Sequence, residues 1–515
     1  MLERDRFSES SRLCDHPHAP SGRDVAQPCP IHPPDCISSV TSSKAATKYR
    51  NSPTSKGGAM AQGTRLLAKS FWVYLLPVAL CLQLLGIDSV QAQPRPNVLV
   101  IVTDDQRATE TMPVMEATRR LFVQGGTSFR NAFATTPVCC PSRVSIFTGQ
   151  YAHNHGARGN GQARKLVHED TLQRYLQEAG YRTAIFGKFQ GHMARSQLPY
   201  FDKWAIFSMS QRSYRNGKWN VGGHTRTIGT YASDYIRRRA VGFIRQGEAQ
   251  DRKPWLLYMA PPAPHSPFIP QRRYADRRYA TWNGNPAVRE RSTTDKPPYV
   301  RRSHEMTLND GRTLRLNQLR TLESVDDMIS GAFRTLGRKG ETRRTLAILV
   351  SDNGLLWGEH KLRNKYHAYT QSVQIPLALR WPGRVPRRAT RRGLVANIDI
   401  APTVLDATGI SPEHTMDGRS LFRSGKRSKL FLEQWKTTSE VPTWKSLRSK
   451  RWQYTEYFSN GRRTFREYYD LRKDRWQLRN LLKDGSARTG PNSDRLRRLH
   501  RRLLREAVCS GTACP

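Results

Sequence analysis

The chain has 515 residues, more than one ordinary domain holds, with 85 Lys and Arg against 42 Asp and Glu and a formal net charge of +43. A hydrophobic content of 37% with 11 Trp excludes a wholly disordered chain. The charge points to polyanionic partners (nucleic acid, anionic lipid or sulfated polysaccharide) or simply to solubility in a salty or acidic medium.

Residues 1–59 are rich in Ser, Pro, His and Cys and lack apolar periodicity, so they are expected to be disordered or a mis-called extension upstream of Met60. Residues 60–92 have the pattern of a signal peptide. Arg65 and Lys69 precede an apolar run from Phe71 to Ile87, and "VQA" closes the segment at Ala92. Pro77 and Gln83 interrupt the run, which argues against a stable membrane span. Export to the periplasm, the medium or the cell surface is the expectation. It excludes nucleic acid as a partner, because no nucleic-acid module is legible either. Of the eight cysteines, Cys14, Cys29, Cys36 and Cys81 lie before this boundary. In an oxidising compartment Cys509 and Cys514 can close a short loop, which leaves Cys139 and Cys140 as an adjacent pair.

The exported portion opens with "PNVLVIVTDDQR". Its unbroken apolar run, Val98 to Val102, is expected as a strand buried on both faces, ending at Asp104 and Asp105. Later, "TLAILVSDNG" repeats the pattern and delivers Asp352 and Asn353. In open α/β sheets ligands gather beyond the carboxyl ends of strands, so two such strands imply one shared site. Between them, "DTLQRYLQEAGYRTAIFGK" reads as a helix ending at Gly180 and a strand from Thr183 to Phe186 that leads to Lys188. "YASDYIRRRAVGFIRQ" reads as a helix, and "KPWLLYMAPPAPHSPF" as a strand entering a Pro-rich loop that carries His265. Residues 271 to 318 are expected as a long Arg-rich loop that reads substrate. "NQLRTLESVDDMISGAFRTLG" follows as an amphipathic helix, and "QIPLALRWPG" and "NIDIAPTVLDATGI" continue the alternation. Residues 93–428 are thus expected as the catalytic domain. Residues 429–515 are expected as a C-terminal α+β part, a small antiparallel sheet with a basic covering helix.

In "TTPVCCPSRVSIFTGQYAHNH", Pro141 suits the first turn of a helix that runs to Gly149. Cys139 then stands at a helix start, with Arg143 one turn in. A buried structural pair, a nucleophilic thiolate and a cysteine destined for modification all remain open at this point.

"CCPSR" followed by "TG" and "Y-x-H-N-H" resembles the signature of the formylglycine-dependent sulfatases, C-x-P-S-R. "IVTDDQ", "EAGYRTAIFGK", "APHSP", "SDNG" and "IDIAPTVLDATG" extend the resemblance in order from residue 96 to about 480. The N-acetylglucosamine-6-sulfatase and heparan 6-O-endosulfatase branch is the most similar. The resemblance implies an alkaline-phosphatase-like fold: a large, mixed, mostly parallel sheet flanked by helices. It implies oxidation of Cys139 to Cα-formylglycine by a formylglycine-generating enzyme, with the aldehyde hydrate attacking sulfur. It also implies one calcium ion held by Asp104, Asp105, Asp352, Asn353 and residue 139, an oxygen-rich set suited to a hard cation. Arg143 matches the residue that orients the hydrate, and Lys188, His265 and Lys365 match the groups that bind sulfate oxygens and assist the leaving group. Two positions depart from the pattern. Gln190 stands where many family members have His, with His192 nearby, and Gln150 replaces the Lys or Arg usual after "TG". His360, in "GEHKLRNK", is a further candidate for the site wall. The implied substrate is a sulfated sugar or polysaccharide, such as one with 6-O-sulfated N-acetylglucosamine. The alternatives are a phosphodiesterase or phosphonate hydrolase of the same superfamily, and a non-catalytic polyanion-binding protein.

Overall fold

The strands, in chain order, are β1 (Asn97–Thr103), β2 (Thr127–Phe133), β3 (Arg182–Gly187), β4 (Lys203–Phe207), β5 (Gly217–Val221), β6 (His224–Ile228), β7 (Trp255–Ala260) and β8 (Thr345–Ser351). There follow the two-residue strands β9 (Leu356–Trp357) and β10 (Arg363–Asn364), then β11 (Leu377–Arg380), β12 (Ala389–Ala396), β13 (Leu430–Gln434), β14 (Thr443–Arg448), β15 (Trp452–Ser459) and β16 (Arg462–Asp470). The helices that matter here are α1 (Cys139–Thr148), α2 (Leu172–Glu178), α3 (Ala232–Gln250), α4 (Leu308–Arg338), α5 (Ile400–Thr408) and α6 (Ser493–Glu506). These come from a computed structural model that describes residues 95–190, 197–207, 214–250, 253–303, 306–423, 427–437, 440–483 and 490–515. The expected signal peptide, residues 1–59 and His192 lie outside the described residues.

Ten strands form one sheet in the order β12-β2-β11-β8-β1-β7-β3-β4-β5-β6. The centre, β8-β1-β7-β3-β4, is parallel throughout, and antiparallel pairings appear only toward the edges. All seven residues of β1 and of β8 are buried, as unbroken apolar runs demand. The pleat sends alternate side chains to opposite faces. Val98, Val100 and Val102 pack with Val144 and Phe147 of α1, Leu172 and Leu176 of α2, and Val404 of α5. Leu99 and Ile101 face the other way, onto Ile236 and Phe243 of α3 and Leu322 and Ile329 of α4. The sheet is therefore a middle layer between two helical layers. Each fully buried Val, Leu or Ile contributes on the order of 1.5–3 kcal/mol, so β1 alone is a strong organiser of the fold.

β13 to β16 form a second, four-stranded antiparallel sheet. Its Leu432, Trp444, Tyr454 and Tyr457 share a core with Leu499 and Leu503 of α6 and with Phe133, Tyr151, Ala368 and Val373 of the larger unit. Cys509 and Cys514 are joined in a disulfide just beyond α6. One expectation fails. The Arg-rich loop does not reach residue 318, because α4 starts at Leu308. There, Thr307 accepts from the Asp310 amide and Asp310 accepts from the Thr307 amide at 2.8 Å, a capping box that adds nearly three turns to the helix.

Gly187, the last residue of β3, has φ = 119°, and a Cβ there would lie 1.9 Å from the Ala260 carbonyl oxygen of β7. Gly187→Ala should cost on the order of 3 kcal/mol through strain and collision with backbone. Denaturant unfolding will read this, and an unchanged midpoint would rule out the close approach.

Candidate active site

The parallel register of β1 with β8 runs unbroken from Asn97↔Thr345 to Thr103↔Ser351. Asp104-Asp105 and Asp352-Asn353 therefore leave the sheet at the same edge. Asp352 Oδ1 accepts from the Asp105 amide at 3.1 Å, and Asn353 Nδ2 donates to Asp105 Oδ1 at 2.6 Å. Asp105 has φ = 65°, in the left-handed region that a residue with a Cβ rarely adopts. Gln318 of α4 braces that turn, donating to the Asp105 carbonyl at 3.2 Å while Trp357 Nε1 donates to Gln318 Oε1 at 2.7 Å.

Cys139 opens α1, all ten residues of which are buried. Its Sγ lies 3.6 Å from Asp104 Oδ1 and 4.0 Å from Asp105 Oδ1. Cys140 differs: its amide donates to Asn160 Oδ1 at 3.0 Å, and both thiols are free. Arg143 donates from Nε to Asp352 Oδ2 at 2.9 Å and from a terminal nitrogen to the Lys188 carbonyl at 2.8 Å. Lys188, just past β3, donates to Asp104 Oδ2 at 2.6 Å. Lys365 donates to Cys139 Sγ at 2.8 Å and pairs with Asp105. His265, past β7, places Nε2 3.6 Å from Asp105 Oδ2; its side chain is 23% exposed, whereas those of Lys188 and Lys365 are 5% or less.

The structure thus gathers Asp104, Asp105, Cys139, Arg143, Lys188, His265, Asp352, Asn353 and Lys365 into one cluster. Three buried carboxylates face three permanently cationic side chains. Burial pushes the Asp104 carboxyl up, but Lys188, His265 and Arg143 outweigh it and hold the group well below the usual carboxylate range. Burial pushes Lys365 down, and the Asp105 carboxylate more than reverses it. Cys139 goes the other way: burial drives its thiol up to about 12, and Lys188 and Lys365 do not offset it. A helix start alone therefore does not make this cysteine a thiolate.

The cluster offers donor atoms for a metal ion. One atom each from Asp104, Asp105, Cys139 and His265 lies within 4.8 Å of the others, and Asn353 Oδ1 is buried without a hydrogen-bond partner. Such an orphaned carbonyl oxygen, among carboxylates, is an unused ligand atom.

Two other candidates sit differently. His360 is fully buried; its Nδ1 meets Glu290 Oε2 at 2.6 Å and its ring lies 4.1 Å from that of Tyr369, so it braces a loop and is not one of the clustered residues. Gln190 is buried, with Nε2 unpartnered among the described residues. Sequence reasoning missed the support of Lys365. Its loop holds His360, Lys361, Asn364 and Tyr366 at positive φ, a concentration of strain that neighbours must stabilise. The small sheet does so. Trp444 Nε1 donates to the Tyr366 carbonyl at 2.7 Å, and Gln453 Nε2 donates to that of Ala368 at 2.5 Å. Buried Glu467 accepts from Tyr369 at 3.0 Å and from Tyr457 and Tyr469 at 2.6 Å each. No local signal marks Glu467, because Tyr369 is 98 residues away in the chain.

Residues 96–410 match the Sulfatase family model, and residues 358–505 match the model for the C-terminal part of N-sulphoglucosamine sulphohydrolase. The chain is 30% identical over 440 residues to a Caenorhabditis elegans protein named as an extracellular sulfatase Sulf-1 homolog, covering 78% of this chain and 60% of that protein. It is 34% identical to the extracellular sulfatase SULF-1 homolog of Drosophila melanogaster, covering 64% of this chain and 31% of that one. The chain thus spans about a third to three fifths of the length of these relatives. Human N-acetylglucosamine-6-sulfatase is 30% identical, with 67% of each chain covered. A solved structure described as in complex with its substrate D-glucosamine-2-N,6-O-disulfate aligns with TM-score 0.64 and 22% identity, covering 80% of this chain and 97% of that one, which establishes likeness of fold.

If the Tyr369 hydroxyl on Glu467 ties the Lys365 loop to the small sheet, Glu467→Gln should lower the opening free energy of residues 358–369 by on the order of 1.5–3 kcal/mol. Amide hydrogen exchange should show faster exchange there than in β1 or β8. Uniform change across all three segments would mean a general loss of stability instead.

Proposed function

We propose that this chain, which belongs to the sulfatase family, is an exported sulfuric ester hydrolase acting on a sulfated sugar or polysaccharide. The observation that carries the proposal is the position of Cys139. It is buried against two carboxylates and the Lys365 ammonium, where a modified side chain and an anionic ester can be received together.

In this reading Asp104, Asp105, Asp352, Asn353 and residue 139 would hold calcium, which supplies positive charge for a sulfate group. Oxidation of Cys139 to formylglycine, made by a formylglycine-generating enzyme, would supply an oxygen nucleophile in place of a thiol that burial keeps protonated. The chain's own residues do the rest. Arg143, fixed by Asp352 and the Lys188 carbonyl, orients the side chain at 139. Lys188 and Lys365 present ammonium charge to sulfate oxygens in a dry site, where it counts most. His265, the most open of the set, gives the leaving alcohol its proton. Gln190, buried and with its Nε2 unpartnered among the described residues, supplies a neutral donor where many family members have an ionisable His.

Residues 60–92 serve as the export signal, residues 93–428 as the catalytic portion and residues 429–515 as its support. Names among the relatives, N-acetylglucosamine-6-sulfatase and extracellular sulfatase, favour a 6-O-sulfated hexosamine outside the cytoplasm. A phosphodiesterase or phosphonate hydrolase is the competing reading; turnover of phosphate diesters faster than aryl sulfates would replace this proposal with that one.

Cys139→Ala should reduce sulfate-ester hydrolysis to background, whereas Cys140→Ala should retain measurable turnover. Peptide mass spectrometry should find an aldehyde at residue 139 alone; equal losses from the two substitutions would contradict the assignment. Stripping the metal should reversibly reduce activity, and Asp104→Ala and Asp352→Ala should each lower bound calcium. Unchanged metal content in both variants would sink the shared metal site.

A further inference from the structure

A cavity of about 750 Å³ lies over β2 and β11 and shares no lining residue with the catalytic cluster. Five cationic side chains line it, Arg107, Arg130, Arg448, Lys450 and Arg475, against a single carboxylate, Glu110. Arg107 is neutralised inside the protein by Glu359 at 2.7 Å. Among the described residues, the other four have no carboxylate partner.

Arg448 is the unusual member. It is 8% exposed, and one terminal nitrogen donates to two neutral acceptors, Thr370 Oγ1 at 2.9 Å and Gln453 Oε1 at 2.5 Å. Its Nε is buried with no acceptor, and the guanidinium lies 5.0 Å from the Phe133 ring. With no carboxylate opposing it, burial brings its pKa down to about 9. A buried, uncompensated guanidinium beside a cavity is costly unless an anion joins it. Planar N–H donors match the oxygens of sulfate or carboxylate. Lys450 and Arg475 are exposed at the same cavity, and half-buried Trp476 adds an aromatic wall, with Arg475 4.9 Å from its ring. Cations beside a half-buried aromatic ring suit a sugar carrying an oxyanion, with polar edges and apolar faces.

We propose that this cavity is a second anion site, which binds a sulfated or carboxylated unit of an acidic polysaccharide through Arg448, Lys450 and Arg475 while the polymer is worked on elsewhere. The choice of a saccharide rests on the sulfated-carbohydrate reading above; the oxyanion site rests on the cavity alone. Through Thr370 and Gln453, Arg448 also touches the residues that follow and hold the Lys365 loop.

The test measures binding of dextran sulfate, uncharged dextran and inorganic sulfate to the full chain carrying Cys139→Ala. The same measurements follow with Arg448→Gln, with Lys450→Ala/Arg475→Ala, and with the control pair Arg498→Ala/Arg501→Ala on α6. Lys450→Ala/Arg475→Ala should weaken dextran sulfate binding roughly tenfold at low salt, an effect that shrinks as salt screens it. The control pair should weaken it much less, and uncharged dextran should not bind. With Cys139 intact, aryl sulfate turnover should be unchanged by the Lys450/Arg475 pair. Sulfate binding that depends on Arg448 without polymer binding supports the oxyanion site with a free ion as ligand. Equal weakening by the two double variants, or by neither, overturns the site even if Arg448→Gln fails to fold. Rim-dependent binding together with a complete lack of sulfatase activity in the chain with Cys139 intact would instead overturn the enzymatic reading and leave this site standing.

Discussion

Charge buried at the carboxyl edge of β1 and β8 has to be neutralised where it stands, and much of the molecule is arranged around that demand. Asp104, Asp352 and Arg143 have fully buried side chains, and Lys188, Asp105 and Lys365 nearly so. In water these groups would interact weakly. Here each pairing is strong, and each missing partner would be expensive. That explains why the cations come from separate elements: Arg143 from α1, Lys188 from the end of β3, and Lys365 from a strained loop. It also explains the complete burial of α1, whose first residue must reach the carboxylates and whose Arg143 must span Asp352 and the Lys188 carbonyl.

The two sheets divide the work. The ten-stranded sheet sets positions through backbone register, which is rigid and cheap to specify, and so supplies the acidic pairs, Lys188 and His265. The four-stranded sheet acts through side chains on a loop that would not keep its shape alone. Trp444 and Gln453 hold the carbonyls of Tyr366 and Ala368, and Glu467 collects three tyrosine hydroxyls. An ammonium on a flexible stem reaches both Cys139 and Asp105 from a backbone held in this way.

Much of this architecture was legible in advance. Runs such as Val98–Val102 and Leu346–Val350 are apolar without alternation, a pattern tolerated only in strands covered on both faces, and their acidic ends announced the site. The motif around Cys139 carried the resemblance to the sulfatase family, and Asp104, Asp105, Asp352 and Asn353 did meet. The start of α4 was missed because Thr307 and Asp310 form their capping box ahead of a stretch with weak apolar periodicity. The contacts of His360 with Glu290 and Tyr369 were not legible, because a histidine in a polar motif looks the same whether it faces a site or braces a loop.

What the sequence by itself determined was the periodic and the local: strand burial, helix starts, the order of the motifs, and which residue types stand at the strand ends. Those depend on neighbours a few positions apart. Only the tertiary structure decided which charges meet, that burial pushes the Cys139 thiol up, that Glu467 bonds Tyr369 98 residues earlier, and that among the described residues Arg448 is buried without a counter-charge. Each of these depends on burial and on distances between segments remote in the chain. Such quantities arise from the packing of whole layers and have no period in the sequence.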